Sequence, residues 1–248
     1  MDKVLLVTGG SRGIGAATCR LAAQAGWAVA VNYTANSLAA DEVVRAIRAA
    51  GGRAMAVQAD VADEAQVLAM FGQIDAKFGR LTGLVNNAGV VDVSARLDEM
   101  DMARWKRMFD INVIGSLLCA REAVRRMSTR HGGTGGAIVN VSSAASRIGS
   151  PGQYVDYAAA KGAIDSFTLG LAREVAAEGI RVNAVRPGLI DTEIHASGGL
   201  PDRVKDLQHL VPMQRGGSAD EVAQAILWLL SDAASYTTMS LIDVSGGR

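Results

Sequence analysis

The sequence predicts an α/β fold with one domain over residues 1–248, in which a doubly wound parallel sheet of about seven strands carries helices on both faces. Short apolar runs rich in β-branched residues alternate with longer segments of helical periodicity. The runs are apolar throughout, which is typical of parallel strands buried on both faces. Right-handed crossovers between such strands produce a doubly wound sheet, and no linker or repeat interrupts the pattern.

The strands and helices follow in order along the chain. The predicted strands are Val4–Thr8, Ala28–Asn32, Ala54–Gln58, Leu84–Asn86, Ala137–Val141, Ile180–Val185 and Leu241–Val244. The predicted helices cover about 13–24, 36–50, 63–78, 101–128, 157–178 and 219–230. The glycine-rich stretch 131–136 is expected to be a surface loop. Residues 190–215 lack clear periodicity, and a long irregular segment in a compact domain is typical of a lid.

Composition excludes several classes of function. The chain has 25 basic and 25 acidic residues, so nothing suggests a surface for nucleic acid. No apolar run is long enough for a membrane span, and the N-terminus is predicted to be a strand rather than a signal peptide, which favours a cytoplasmic location. Cys19 and Cys119 are expected to be free buried thiols. Histidines, cysteines and carboxylates show no metal-ligand spacing, so no metal site is predicted.

A glycine-rich loop joins the first strand to the first helix. It reads TGGSRGIG, with Gly9, Gly13 and Gly15 around Ser11, Arg12 and Ile14. Glycines allow a tight turn and close approach of the backbone to a pyrophosphate, and the helix N-terminus favours an anion. The loop therefore predicts a dinucleotide site, although an ordinary strand–helix turn would also use glycines.

The end of the second strand indicates which dinucleotide is preferred. It reads Asn32-Tyr33-Thr34, and no acidic residue follows before Asp41. A carboxylate there would bind the ribose 2′-hydroxyl of NAD and repel a 2′-phosphate. With Arg12 in the glycine loop, we expect NADP(H) to be favoured over NAD(H). The alternative is that Arg12 is only solvated and Asn32 accepts both cofactors.

Two further strand ends carry candidate cofactor ligands. Asp60 and Val61 follow the third strand, where the carboxylate can accept from the adenine amino group and the valine can pack on the ring. Asp60 could equally cap the helix that begins near Asp63. Asn87, Ala88 and Gly89 follow the fourth strand, where small residues let a cofactor lie against the sheet. The asparagine amides there could also simply satisfy loop backbone groups.

Candidate catalytic groups follow in the second half of the chain. Ser143 ends the fifth strand, and GQYVDYAAAK places Tyr157 and Lys161 at i and i+4 on one helix face. Asn112 is a polar amide within an apolar helical stretch, where it is mildly unfavourable unless it is used. Each residue alone could be structural, Tyr157 as a packing residue and Lys161 as a solvated charge.

Taken together and in order, these motifs resemble the single-domain short-chain dehydrogenases/reductases. TGGSRGIG, NNAG, Asn112, Ser143, Tyr157-x-x-x-Lys161 and Pro187-Gly188 carry the resemblance over nearly the whole chain. It implies a Rossmann-like sheet, a homotetramer (or homodimer), and a catalytic tetrad of Asn112, Ser143, Tyr157 and Lys161. It also implies that Pro187, Gly188, Ile190 and Thr192 line the cofactor. Bacterial NADP-linked ketoacyl reductases and glucose dehydrogenases look most similar.

The resemblance implies hydride transfer between NADP(H) and a small carbonyl or secondary alcohol substrate, with Tyr157 as general acid/base. An ammonium near 4 Å at an effective dielectric of about 20 favours phenolate by about 4 kcal/mol, so Lys161 is expected to lower the pKa of Tyr157 toward neutrality. Lys161 would also hold the nicotinamide ribose, and Asn112 a water that relays protons. The alternative is a non-catalytic, nucleotide-sensing interaction protein on the same fold.

Two stretches depart from the family pattern. GQYVDY is one residue longer than the GQANY of many relatives, which places Tyr154 near the mouth of the site. SYTTMSLIDVSGG carries Met239 where relatives commonly have the glycine of SYxTG, which leaves the conformation of the C-terminal tail open.

Overall fold

The computed structural model describes residues 3–248, with the backbone alone for His195. One parallel seven-stranded sheet has the order β3-β2-β1-β4-β5-β6-β7. The strands are β1 Val4–Val7, β2 Ala28–Tyr33, β3 Arg53–Gln58, β4 Gly83–Asn86, β5 Gly136–Val141, β6 Ile180–Pro187 and β7 Leu241–Val244. The helices are α1 Gly13–Gln24, α2 Ser37–Ala49, α3 Glu64–Phe78, α4 Met102–Phe109, α5 Gly115–Met127, α6 Ala145–Ile148, α7 Val155–Val175, α8 Ile194–Ser197, α9 Arg203–Leu207 and α10 Ala219–Leu230. The predicted fold class is confirmed.

The sheet separates two hydrophobic cores, and alternation along each strand divides side chains between them. On β1, Leu5 and Val7 face the core covered by α1, α2 and α10. Val4 and Leu6 face the opposite core, covered by α3, α5 and α7. All four side chains are almost completely buried, which explains why the strand reads as a continuous apolar run.

The strand order reverses at β1, and this reversal positions the site. The chain moves outward from β1 to β2 and β3, then returns to place β4 on the other side of β1. The connections after β1 and β4 therefore leave in opposite directions and open a crevice at the carboxyl ends of the strands. The predicted ligand-binding residues follow these same strand ends.

The predicted continuous helix over 101–128 is wrong in one respect. The segment contains α4 and α5 joined by a π-helical turn, Asp110–Ile114, that holds Asn112. A π turn adds a residue to one helical turn without disturbing the apolar periodicity on either side, so sequence periodicity does not register it. Such turns are frequent at functional sites.

The region around the predicted lid is more regular than expected. Residues 190–215 contain the short helices α8 and α9 and a 3-10 turn, Gln208–Leu210, so the prediction of a wholly irregular segment is wrong. The helix α6 between Ser143 and Tyr157 was not predicted either. Helices of four or five residues are too short to show an apolar period. Strand β6 continues to Pro187, whose carbonyl accepts from the Ala144 amide (2.9 Å).

Several smaller predictions can be checked directly. Cys19 and Cys119 are free and buried, as predicted. On α7, Ile164 and Val175 are buried, and Phe167 and Leu171 pack against the core that contains Val175. Across residues 3–248, no helix combines the length and apolarity that a membrane crossing would need. The same residues hold no cluster of three or more metal-ligating side chains.

Met239 adopts the conformation that a glycine would favour. Its φ is +62°, its amide donates to the Val182 carbonyl (2.7 Å), and Arg173 Nε lies 3.3 Å from its sulfur. The backbone of the C-terminal tail therefore has the conformation that would suit the family glycine, and Met239 is strained in this conformation.

Met239→Gly is expected to stabilise the protein by about 1 kcal/mol, because glycine adopts this φ without strain. This corresponds to a rise of about 2–4 °C in Tm for a chain of this size. Thermal unfolding monitored by circular dichroism measures the change. Met239→Ala is the matched control, since it removes the same thioether and keeps the strained φ. An equal gain in both variants would assign the effect to the side chain rather than the backbone.

Candidate active site

A cavity of about 510 Å³ lies in the crevice at the carboxyl ends of the strands. It brings together most of the residues predicted for the site: Gly9, Ser11, Arg12, Gly13, Ile14, Tyr33, Thr34, Asp60, Val61, Asn87, Ala88, Gly89, Ser143, Tyr157, Lys161, Pro187, Gly188, Ile190 and Thr192. Three predicted residues do not line it: Gly15, Asn32 and Asn112. Each of these three lies directly behind a lining residue.

The glycine loop forms a close-packed turn at the start of α1. Gly9 has φ +59°, and a Cβ on Gly15 would lie 2.3 Å from the Gly9 carbonyl oxygen, so Gly15 is required for the loop and helix to meet. Arg12 occupies the N-cap of α1 without a side-chain hydrogen bond, and the first turn carries no acidic residue. The helix therefore presents uncapped N–H groups and the positive end of its dipole to the cavity, which fits the pyrophosphate of a dinucleotide.

Asn32 supports the loop rather than the cavity. Its Oδ1 accepts from the Gly9 amide (3.1 Å), and its Nδ2 donates to the Ala59 carbonyl (3.0 Å). The residue is 1% exposed, so its amide is used entirely inside the fold. Asn32 does not line the cavity, because β2 continues for one more residue and places Tyr33 and Thr34 there instead.

The alternatives left open at the other strand ends are now resolved. The N-cap of α3 is Asp63, whose Oδ1 accepts from the Gln66 amide (3.1 Å), and not Asp60. Asp60 lines the cavity and accepts from the Ala62 amide (2.9 Å). Asn87 lines the cavity and also satisfies a loop backbone group, because its Nδ2 donates to the Thr8 carbonyl (2.8 Å).

Ser143, Tyr157 and Lys161 form one cluster. The Ser143 side chain is near enough to the Tyr157 hydroxyl to lower its pKa. Lys161 Nζ lies 5.6 Å from the centroid of the Tyr157 ring and donates to the Val141 carbonyl (2.8 Å). Lys161 is 4% exposed, so its stem is packed in the protein and its ammonium has few positions available. The cluster combines a hydroxyl donor, a phenol and a cation on one wall of the cavity.

The expectation that Lys161 would bring the pKa of Tyr157 toward neutrality is wrong for this structure. Burial raises the pKa of Tyr157 to about 12, and the nearby Ser143 side chain opposes this only in part. Burial also lowers the pKa of Lys161 to about 8, against the field of Asp165. Desolvation acts on both partners and favours the neutral form of each. The expectation took the attraction of Lys161 to outweigh burial, whereas burial is the larger effect on Tyr157.

Asn112 lies behind the cluster and is held firmly in the π turn. Its Nδ2 donates to the carbonyls of Val90 and Met108 (both 3.0 Å), and its Oδ1 accepts from the Val90 amide (3.2 Å). A Cβ on Gly89 would lie 2.7 Å from Asn112 Oδ1 and 3.5 Å from Lys161 Nζ. The missing side chain of Gly89 therefore leaves the space between the amide and the ammonium open.

Sequence reasoning missed residues that position or complete the site. Asp156 is buried beside Tyr157, accepts from the Tyr157 amide (2.9 Å), and is bound by Arg104 through two hydrogen bonds. Tyr154 is 6% exposed and lines the cavity, so it is buried rather than at the mouth, with Arg203 of α9 stacked on its ring. An acidic residue in the first turn of α7 was the one available signal for Asp156.

Comparisons with known proteins give a consistent result. A family model described as "Enoyl-(Acyl carrier protein) reductase" matches residues 9–248. The chain is 60% identical over 245 residues to an Escherichia coli protein named "Uncharacterized oxidoreductase YgfF", covering 99% of both chains. It is 43% identical over 247 residues to "Cis-4-hydroxycyclohexanecarboxylate dehydrogenase" of Sinomonas cyclohexanicum, covering 99% of this chain and 96% of that one.

Two further comparisons extend this result to reductases and to solved structures. The chain is 38% identical over 250 residues to "3-oxoacyl-[acyl-carrier-protein] reductase FabG" of Staphylococcus aureus, covering 100% of this chain and 98% of that one. A solved Serratia marcescens short-chain dehydrogenase/reductase mutant superimposes with a TM-score of 0.91 at 34% identity. That alignment covers 99% of this chain and 97% of the other.

Proposed function

The chain belongs to the short-chain dehydrogenase/reductase family of oxidoreductases, and on this premise we propose that it transfers a hydride between NADP(H) and a carbonyl or secondary alcohol. The observation that carries the proposal is the cluster of Ser143, Tyr157 and Lys161 on the wall of the cavity. A phenol that shares a cavity wall with a serine hydroxyl and a buried ammonium is a suitable proton donor for a substrate bound there.

The proposed chemistry divides between the cofactor and the chain. Bound NADPH supplies the hydride to the carbonyl carbon. As that bond forms, the π pair of the C=O bond moves onto oxygen, which takes the proton of the Tyr157 hydroxyl and becomes an alcohol. Ser143 holds the oxygen in place through a hydrogen bond, and the Lys161 ammonium stabilises the phenolate left on Tyr157.

The pKa of Tyr157 favours carbonyl reduction at neutral pH. At about 12 it keeps the phenol protonated, so the proton donor is present without prior ionisation. The reverse reaction needs the phenolate, which is scarce at neutral pH and increases as pH rises. We therefore propose that the oxidation of alcohols accelerates toward alkaline pH while carbonyl reduction proceeds at neutral pH.

The names of two relatives support the substrate class. One is a dehydrogenase of a cyclic secondary alcohol and another a reductase of a 3-oxoacyl thioester, and both substrates have a CH–OH/C=O centre. The direct test follows the absorbance of NADPH and NADH with purified protein and a panel of ketones, β-ketoacyl thioesters, sugars and secondary alcohols. Turnover of any member supports the proposal. Tight cofactor binding without turnover of any member would favour a nucleotide-sensing protein instead.

The preference for NADP(H) is proposed from the charged residues around the glycine loop and the end of β2. Arg12 is exposed, lines the cavity at the N-terminus of α1, and forms no ion pair with any carboxylate among residues 3–248. Tyr33 and Thr34 at the end of β2 contribute no negative charge to this part of the cavity. A 2′-phosphate would therefore meet an unneutralised guanidinium, and no carboxylate follows β2 to repel it.

Arg12→Ala is expected to weaken NADPH binding by about 10-fold and to change NADH binding much less, because only NADPH carries the 2′-phosphate. Titration of each reduced cofactor, followed by its fluorescence, measures both affinities without any substrate. Arg20→Ala, an exposed arginine further along α1, controls for general loss of positive charge. Equal affinities for the two cofactors in the unaltered protein would remove the proposed preference.

Assembly and location remain predictions. Phe109, Ile114 and Leu117 are exposed apolar side chains on α4, the π turn and α5, which supports a subunit contact on that surface. We propose a homotetramer (or homodimer) on this ground and on the family resemblance. A cytoplasmic location is proposed from the sequence alone.

A further inference from the structure

One cation in the cavity has no role in the chemistry described so far. Arg203, the first residue of α9, lines the cavity and is half-buried. Its guanidinium carbon lies 5.2 Å from the centroid of the Tyr154 ring, and its Nη2 donates to Gln153 Oε1 (2.7 Å). The ring and the amide restrict the position of the guanidinium, a group that can bind a planar anion through two hydrogen bonds.

The charge of Arg203 is not neutralised by the protein. Among residues 3–248, no carboxylate lies within ion-pair distance of it, whereas Arg104, Arg107 and Arg186 each have one. Burial and the nearby positive charge of Arg248, which also lines the cavity, both lower the pKa of Arg203, with the Tyr154 phenol acting in the opposite direction. The guanidinium of Arg203 therefore carries its charge into the cavity without a carboxylate partner from the described residues.

The carboxylates in and near the cavity do not pair with Arg203. Asp156 is bound by Arg104, and Asp92 by Arg107. Glu193 lines the cavity at the glycine loop, where its Oε2 would lie 3.6 Å from a Cβ on Gly13. None of them forms an ion pair with Arg203, so its positive charge is available to a ligand in the cavity.

Arg203 lies on the substrate side of the cavity. It stacks on Tyr154, which precedes Tyr157 by three residues at the start of α7. Tyr154 is the N-cap residue of α7, and Tyr157 lies in the first turn of that helix. Arg203 therefore lies at the end of the cavity where α7 begins, whereas Arg12 and the glycine loop lie at the N-terminus of α1.

The lid brings Arg203 to this position. A Cβ on Gly198, which follows α8, would lie 3.2 Å from the Tyr154 hydroxyl and 3.0 Å from Val91 Cγ2. The lid backbone thus contacts Tyr154 closely at one point while Arg203 covers its ring at another. These two contacts hold the guanidinium against the cavity rather than in solvent.

We propose that the substrate carries a carboxylate, which Arg203 binds while the carbonyl or hydroxyl carbon lies against Ser143 and Tyr157. This inference rests on the proposed function and narrows its substrate class to oxo acids or hydroxy acids. The bound carboxylate would meet Nε and Nη2 or both Nη atoms of the guanidinium, an arrangement that is stronger than a single neutral hydrogen bond. The number of bonds between the carboxylate and the reacting carbon is varied in the test.

The test compares acids with neutral compounds of the same shape. The probes are 4-oxopentanoate, 5-oxohexanoate and 6-oxoheptanoate, each with its methyl ester, and NADPH consumption gives kcat/KM for each. We expect one acid to exceed its ester by at least about 10-fold in the unaltered protein, because a charge-assisted hydrogen bond is lost in the ester. Arg203→Met is expected to lower kcat/KM for that acid by about 10- to 100-fold and for the ester by less than about 3-fold.

Two further variants test whether the loss of activity on the acid is specific to the guanidinium of Arg203. Arg203→Lys keeps the charge but not the planar fork, and an intermediate loss is expected. Lys205→Met removes an exposed positive charge from the same helix, and its effect on the acid is expected to stay within about 3-fold. A loss in Lys205→Met as large as that in Arg203→Met would assign the preference to general electrostatics and overturn the proposal.

Failure of the carboxylate proposal can be distinguished from failure of the proposed function. If the unaltered protein reduces esters as well as acids, the oxidoreductase function stands and the role of Arg203 is overturned. If neither is reduced, calorimetric titration of the three acids into the complex with NADP⁺ decides. Binding that Arg203→Met abolishes supports the subsite although the proposed reaction fails, and absence of binding overturns the subsite as well.

Discussion

Tyr157→Phe is expected to lower turnover by about 10²- to 10⁴-fold, the contribution usual for a positioned proton donor, while leaving folding and cofactor binding unchanged. Phenylalanine keeps the ring, so the packing of α7 and the cation–π contact with Lys161 remain. Only the phenol hydroxyl, which lies near the Ser143 side chain, is removed. The alkoxide formed after hydride arrival then has no adjacent acid to protonate it.

The measurement combines activity with binding. Steady-state rates on the best substrate of the panel give kcat, and fluorescence titration with NADPH gives the cofactor affinity. Tyr236→Phe is the control for removal of a phenol hydroxyl, because Tyr236 is fully exposed. Turnover by Tyr157→Phe at the level of the unaltered protein would remove Tyr157 from the chemistry, even with the fold and cofactor site intact.

The second large effect is on stability. Arg104→Met is expected to destabilise the protein by about 3–5 kcal/mol, because it leaves a buried carboxylate without its partner. Arg104 Nε and Nη2 lie 2.7 and 3.1 Å from the two oxygens of Asp156, and the side chains are 11% and 2% exposed. The pair joins α4 to the first turn of α7, where Asp156 also accepts from the Tyr157 amide. Loss of the pair should therefore reduce activity as well.

Arg107→Met is the matched control on the same helix. Arg107 pairs with Asp92, but the two side chains are 51% and 27% exposed, so about 1 kcal/mol or less is expected. Urea unfolding of both variants gives the difference in the free energy of unfolding. Combining Arg104→Met with Asp156→Asn should recover part of the loss, because the uncompensated charge is removed. Equal stability of Arg104→Met and Arg107→Met would show that the buried pair contributes no more than the exposed one.

Much of the architecture was predictable because it depends on local patterns. The continuous apolar runs follow from burial of both faces of each strand, and the helical period follows from one buried face, so strands β1 to β7 and most helices were located within a few residues. The positions of Ser143, Asp60 and Asn87 near one cavity also followed, since the carboxyl ends of parallel strands meet at one edge of the sheet. The π turn at Asn112 and the short lid helices left no periodic signal.

The sequence by itself determined the order of elements and the polar groups offered at the strand ends, because both are encoded in residues close together along the chain. Only the tertiary structure decided how those groups are used. It turned Asn32 inward to the Gly9 amide, joined Arg104 to Asp156 across 52 positions, and stacked Arg203 on Tyr154. It also decided the sign of the Tyr157 pKa shift. Desolvation and side-chain pairing depend on which distant segments come together, and no local pattern encodes that.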